Sequence, residues 1–348
     1  MNKILSLIEK LETEHFLETE EYQILVEAFD KGTAAVLAQK ADIVRKSIYG
    51  NKIFVRGLIE ISNFCKNNCL YCGIRRDNRL CDRYRLTKED ILESCHEGYA
   101  LGFRTFVMQG GEDNRFDDAV MCGIISEIKN YYPDAAVTLS LGERSAESYR
   151  KLRDAGADRY LLRHETASKE HYDKLHPAEM SHENRIRCLH NLRDTGFQVG
   201  CGFMVGSPYQ TTADIARDLK FIETFKPDMC GIGPFIPHKD TPFRDKKAGD
   251  PDLTCYLLSI VRLIHPPVLL PATTALGSIS GDGRERGIKA GANVIMPNLS
   301  PLNVRKKYEL YNNKLHSGDE AAEALESLKK KMLSIGYEIS TERGDIKK

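Results

Sequence analysis

The stretch Ile53-Phe54-Val55-Arg56-Gly57-Leu58-Ile59-Glu60-Ile61-Ser62-Asn63-Phe64-Cys65-Lys66-Asn67-Asn68-Cys69-Leu70-Tyr71-Cys72 carries two signals in succession. Its first half, residues 53–61, is rich in β-branched and aromatic residues and reads as a strand. Its second half sets three cysteines in a CxxxCxxC run just past that strand. Three thiolates this close can hold three irons of a four-iron, four-sulfur cubane, which ordinarily takes four cysteines. With three, one iron stays open to another ligand. Spacing alone leaves three other readings. The i, i+4, i+7 pattern is also one stripe of a helix, although Asn63, Asn67 and Asn68 are poor helix formers. Zinc needs a fourth ligand, which Cys81 would supply. The three can also be unrelated thiols.

Outward from this stretch, β-rich runs alternate with amphipathic ones. Further strands are expected at 105–109, 136–141, 159–163, 198–205, 229–235, 268–272 and 293–296, making eight. Helices are expected near 88–101, 117–130, 145–155, 182–195, 211–225, 253–264 and 283–290. Gly102, Gly156, Gly196 and Gly291 stand where helices should stop before strands. Eight strand–helix units over about 250 residues fit a (β/α)8 barrel, an α/β fold of TIM type. An open doubly wound sheet stays compatible with the same periodicity. Residues 1–48 read as a helical extension, 49–300 as the barrel, and 301–348 as a tail with a helix at about 319–333 that packs on the barrel.

With 50 basic and 50 acidic residues, the chain has no global field for nucleic acid or anionic membrane. No run reaches the ~18 apolar residues of a membrane span. The N-terminus lacks a signal-peptide core. Ten scattered cysteines in a chain of 348 residues argue for a reducing, cytoplasmic setting over a disulfide framework.

Several groups stand at expected strand ends, where barrel enzymes place their chemistry. Gln109-Gly110-Gly111-Glu112 lets backbone approach a ligand, and Glu112 can accept from an ammonium group; a plain turn is the bland reading. Thr138 and Ser140 share one strand face. Arg159, Leu161, Arg163 and Glu165 share another, and three charges on one face need partners or a polar cavity. Arg185 can grip a carboxylate through its planar fork, or form a surface ion pair. Thr273, Thr274 and Met296 close the last two strands, and Met229 sits on the sixth; methionine more often fills core gaps than binds ligands. Tyr71 can shield the cysteine run or touch an adenine.

CxxxCxxC with an aromatic before the third cysteine resembles the signature of the radical S-adenosylmethionine (SAM) enzymes. The resemblance implies a 4Fe–4S cluster on Cys65, Cys69 and Cys72 whose open iron chelates SAM. Gln109 to Glu112 resembles the family's GGE motif. Longer segments resemble one subgroup, the HydE-type FeFe-hydrogenase maturases: Gly73-Ile74-Arg75-Arg76-Asp77-Asn78, Ser140-Leu141-Gly142-Glu143, Tyr160-Leu161-Leu162-Arg163-His164-Glu165-Thr166, Pro271-Ala272-Thr273-Thr274-Ala275 and Gly291-Ala292-Asn293-Val294-Ile295-Met296-Pro297-Asn298. That resemblance spans about residues 50–312. It implies SAM contacts from Tyr71, Gln109, Gly110, Gly111, Glu112, Thr138, Ser140, Glu165, Arg185 and Tyr308. It also implies a small organometallic substrate, an iron–carbonyl–cyanide complex carrying cysteine, supplied by the maturase HydG. Arg56, Arg159, Arg163, Thr273 and Thr274 suit such an anion, with Met229 and Met296 as soft walls. Further implied partners are the scaffold HydF and a low-potential donor such as ferredoxin or flavodoxin. The last cysteine is Cys255, so a second cluster on C-terminal cysteines is not expected. Methylornithine synthase and biotin synthase share the triad and are the alternatives within the class. Cys201 and Cys230, on expected strands, keep a biotin synthase-like second cluster open. A zinc-binding structural protein is the alternative outside it.

Overall fold

The computed structural model describes residues 2–315 and 321–347. Its centre is a ring of parallel strands. Six of them, Gly57–Ser62, Thr105–Gly110, Ala136–Ser140, Arg159–Leu161, Gln198–Cys201 and Met229–Cys230, pair in chain order as one sheet. The ring then closes through short contacts. Met229 bridges Leu269, Pro271 bridges Val294, and Leu58 bridges Asn298. Leu299 N–H donates to Leu58 O at 2.7 Å, joining the last stave to the first. The sheet is therefore a closed (β/α)8 barrel, and the open alternative is excluded.

The helices follow the expected places closely because their end signals are strong. Thr87, Asp117, Ser145, Ser181 and Thr211 each accept a backbone N–H of the first turn from their N-cap position. At the other ends Gly102, Gly156, Gly196 and Gly291 take positive φ, which only glycine adopts without cost. Three short helices, Lys169–Leu175, Thr274–Ile279 and Leu302–Arg305, fall outside the expected ones.

Several expected strands are broken, each for a local reason. The first divides into Lys52–Val55 and Gly57–Ser62. The lower half pairs with Val294–Ile295 and with Glu338–Ser340 of the tail, the upper half with Thr105–Gly110. The fifth divides at Gly202, whose φ is +150° and whose missing Cβ would lie 2.1 Å from Gly231 O. The seventh is reduced to the bridges of Leu269 and Pro271.

Three helices precede the barrel, Asn2–Glu14, Thr19–Glu27 and Lys31–Tyr49. They lie against its outer helices: Tyr22 Oη donates to Glu223 at 2.7 Å, and Tyr256 Oη to Leu25 O at 2.6 Å. The tail helix is Ala321–Ser334; the expected start at 319 lies outside the described residues. Beyond it the chain crosses the N-terminal mouth of the barrel. There Phe54, Met229, Leu269 and Val294 form an apolar floor on which Met296 and Ile346 pack.

Candidate active site

Ser62 ends the first full stave, and the cysteine run begins three residues on. Backbone hydrogen bonds seat it on the barrel mouth: Lys66 N–H donates to Glu112 O at 2.9 Å, and Gly111 N–H to Ser62 O at 3.1 Å. Arg83 staples the loop from one side, donating to the carbonyls of Asn63, Ile74 (2.8 Å), Arg75 (2.6 Å) and Asn78 (3.1 Å). Asn63 adds bonds to Asp82 O at 2.8 Å and Lys307 O at 2.7 Å. The loop is thus shaped by protein groups before any ligand arrives. Neither Arg83 nor Asn63 was singled out from sequence, because a clamp on backbone carbonyls leaves no motif.

Cys65, Cys69 and Cys72 are close enough for each thiolate to disfavour the next. Burial first, then that mutual repulsion, pushes Cys69 up to about 12 and Cys72 well up. Such thiols lose their protons when a cation compensates the charge, as iron does. Leu70 and Tyr71 pack beside Leu175, Met204, Phe235 and Phe243, an apolar cap next to the triad. Tyr71 Oη lies 3.1 Å from His176 Nε2, and Met180 Sδ 3.7 Å from Cys69 Sγ.

Around the triad, polar atoms are buried without directed partners. Glu143 Oε1, Arg163 Nε and Nη2, Glu165 Oε2 and Arg185 Nε make no hydrogen bond among the described residues, and lower in the lumen neither does Thr138 Oγ1. Two of these pairs are nevertheless close: Arg185 Nε to Glu143 Oε1 at 2.7 Å, and Arg163 Nη2 to Glu165 Oε2 at 3.1 Å. They attract as charges, but their angles leave hydrogen-bonding capacity for another molecule. Buried unpaired polar groups are expensive unless something else satisfies them. A ligand bearing both an amine and a carboxylate, as SAM does, matches this mixed set.

Glu165 has φ +66°, a left-handed backbone for a non-glycine residue, which costs about 1–2 kcal/mol. Its charge acts on Cys69, Tyr71 and Cys72. Glu112 is tied more firmly than expected. It accepts from Glu143 N–H at 3.0 Å and pairs with Lys66 at 3.1 Å. A cleft of 480 Å³ opens beside it, lined by Lys66, Asp113, Glu143 and Arg144 among others.

Gln109 and Ser140 stand in one register row with Glu60. Gln109 Nε2 donates to Tyr308 Oη at 3.3 Å. Glu60, wholly buried, takes Lys314 Nζ and Asn298 Nδ2 (2.9 Å), so the segment after Tyr308 is latched onto the first stave. The only trace of that latch in the sequence is a lone acid in an apolar strand. Thr138 lies two rows lower, in register with Arg159 and through it Gln198.

The remaining expected substrate residues do not gather at the triad. Arg159 is fully buried, and its guanidinium is taken up by Thr105 (3.1 Å), Gln198 (3.1 Å), Arg343 O (2.9 Å) and Asp345 (2.6 Å). Arg56 lies 2.9 Å from Met229 Sδ and 3.4 Å from Gly344 O, with its Nε unpaired. Arg56, Arg159 and Met229 belong to the floor of the lumen: Arg159 and Met229 open their strands, Arg56 stands just before Gly57–Ser62, and they meet the tail or the floor cluster there. Met296 joins the same floor. Thr273 caps the helix Thr274–Ile279, accepting from Leu276 N–H at 3.4 Å; Thr274, at its first turn, spends its carbonyl on Ser278. Arg163 alone of the expected arginines stays at the upper level, beside Glu165.

Two rival site readings fail on geometry. Among the described residues no three His, Cys, Asp or Glu side chains converge on one metal ion. Cys81 is engaged instead by Asn63 Nδ2 at 3.6 Å, whereas a cubane binds each thiolate of the triad at a different iron. Cys201 and Cys230 are register partners, but both are wholly buried in the core with helix residues, and Cys201 lies within the field of Asp218 and Arg193. They face the helical layer and not the lumen, so a lumenal second cluster cannot use them.

This barrel with its mouth triad is a radical SAM fold, and the family model of the radical SAM superfamily matches residues 59–222. The chain is 45% identical over 312 residues to the [FeFe] hydrogenase maturase subunit HydE of Thermotoga maritima, covering 89% of this chain and 88% of that protein. It belongs to that family of radical SAM enzymes, which use a 4Fe–4S cluster and SAM. Crystal structures share the fold: methylornithine synthase (PylB) at TM-score 0.83 and 26% identity, covering 96% and 97% of the two chains, and the maturase HydG at TM-score 0.80 and 20% identity, covering 98% and 76%. Among the described residues no helix is long and apolar enough to cross a membrane.

Proposed function

We propose that this enzyme acts in assembly of the hydrogenase active site, on a cysteine-bound iron–carbonyl–cyanide complex supplied by a HydG-type maturase. The observation that carries the reading is the 45% identity to a HydE maturase across nine-tenths of the chain. Cys65, Cys69 and Cys72 hold the cluster. When bound, the cluster would supply the one electron that splits SAM into methionine and a 5′-deoxyadenosyl radical, the radical being directed at the sulfur of the substrate.

The protein's part is to bind, orient and keep dry. Glu165, Arg185 and Thr138 offer the unpaired polar atoms that suit SAM. The Gly110-Gly111 backbone, Gln109, Ser140, Glu112 and Tyr308 line the same mouth. Tyr71 and its apolar neighbours exclude water from the triad. Arg163, with Arg56 at the floor below, suits an anionic metal complex, whereas Arg159 is spent on Asp345. The product passes to a HydF-type scaffold, and a ferredoxin- or flavodoxin-class carrier delivers the electron, in a cytoplasmic setting.

The test mixes reduced enzyme, SAM and the product of the HydG reaction. 5′-Deoxyadenosine and a substrate adduct are expected in wild type, and neither in Cys69→Ala. Turnover of SAM without modification of that complex overturns the substrate and leaves the radical class intact. The likeness to methylornithine synthase makes 3-methylornithine the control product; its formation would favour that second reading.

A further inference from the structure

Glu165 does not hold its left-handed turn unaided. The residue before it, His164, points away from the lumen and is wholly buried. Its Nδ1 accepts from Gly202 N–H at 3.2 Å, which places its proton on Nε2, and Nε2 donates to Asp218 Oδ1 at 3.2 Å. The same oxygen accepts from Ala167 N–H at 2.5 Å. Asp218, on the helix Thr212–Phe225 and 0% exposed, thus grips the turn at residues 164 and 167, on both sides of Glu165. Phe221, from the same helix, lies 4.6 Å from the His164 ring, centroid to centroid. Glu165 itself is tied to the next stave by its N–H to Gly202 O at 3.0 Å and its carbonyl from Met204 N–H at 3.4 Å.

We infer that His164 and Asp218 are positioning residues, which hold the strained Glu165 backbone so that its carboxylate meets the ligand above the cysteine triad. The inference rests on Glu165 serving the SAM site, as proposed above. The pair lies in the outer layer, between the stave and the helix Thr212–Phe225, with the His164 ring against Phe203 and Phe221. An aspartate and a histidine cost desolvation there that two apolar side chains would not. What the pair supplies is direction, because Oδ1 is the single point on which both ends of the turn converge. A left-handed non-glycine residue persists only where its surroundings over-determine it. Asp218 works through Glu165 and touches neither cluster nor ligand.

The reconstituted enzyme gives the test. Iron content, SAM affinity by equilibrium dialysis, and the change in the reduced cluster's EPR signal on adding SAM are measured on the same samples. Asp218→Ala is expected to keep its iron and to bind SAM about tenfold more weakly, matching Glu165→Ala. Asp218→Asn keeps the oxygen on which both bonds converge, and is expected to stay within about twofold of wild type. Adding Asp218→Ala to Glu165→Ala should cost nothing further, because the two act as one unit. If Asp218→Ala does not fold, His164→Asn serves instead: it can accept from Gly202 but is too short to reach Asp218. Additive losses in the double variant, or unchanged affinity in both Asp218→Ala and His164→Asn, overturn the inference. Unchanged affinity in Glu165→Ala overturns it as well. The iron measured in those samples still reports on the triad independently, and the HydG-product assay on the substrate.

Discussion

Arg159 and Asp345 are 186 residues apart in the chain and 2.6 Å apart in space. The guanidinium is fully buried at the base of the barrel; the carboxylate arrives on the tail that crosses it. Burial alone would raise the Asp345 carboxyl, but Arg159 and Gln198 outweigh it and hold the group at about 2 against an ordinary 3.8. A depressed carboxylate contributes stability above its unfolded value. That contribution should be full above about pH 4 and lost as pH falls through about 2. Asp345 is 39% exposed, so screening trims it to about 1 kcal/mol. Urea unfolding of apo Asp345→Asn and wild type should differ by that amount at pH 7 and converge near pH 2. A constant difference at every pH would show that Asp345 acts by packing alone.

Gly111 has no room for a side chain. A Cβ there would lie 2.2 Å from Phe64 O and 2.7 Å from Cys65 Cβ, both in the cluster loop. Gly111→Ala should fold, by circular dichroism, yet retain several-fold less iron after gel filtration. Full iron retention would mean that the loop yields more easily than its clamp by Arg83 suggests.

Each of Cys65→Ala, Cys69→Ala and Cys72→Ala should abolish the brown colour and the iron. Wild type, Cys81→Ser, Cys201→Ser and Cys230→Ser should all carry about four irons per chain. A wild-type value of six to eight, falling in either of the last two variants, would restore the second cluster.

Thr138 Oγ1 is buried and unpaired in the absence of ligand. Thr138→Val keeps the shape and removes the orphan. The apo-protein should gain up to about 1 kcal/mol in denaturant unfolding, while SAM or substrate binding weakens. Such opposite signs mark a hydroxyl kept for a ligand. Loss of stability together with unchanged binding would make it a structural group.

The helices were legible because their signals are local: a Ser, Thr or Asp at one end, a Gly at the other, and an apolar stripe between. The triad was legible because its ligands lie within eight residues of one loop. Strand continuity was less so. The break at Gly202 depends on the approach of Gly231 O, and the break at Arg56 on which strands flank each half. The arginine run misled for a related reason. Alternation assigns Arg159 and Arg163 to one face but is silent on height, and height decides whether a guanidinium meets the tail carboxylate or the triad.

Sequence alone therefore determined the α/β class and most helix positions, which are written in short-range spacing, and pointed to the reactive chemistry through the resemblance of its cysteine run to the radical SAM signature. Only the tertiary structure decided what lies at each level of the lumen: Lys314 against Glu60 near the mouth, Asp345 against Arg159 at the floor, and Asp218 behind Glu165. Each pairing joins residues dozens to hundreds apart, and desolvation makes each costly to leave unmade. Closing the barrel brings those charges together, and no local pattern encodes that closure.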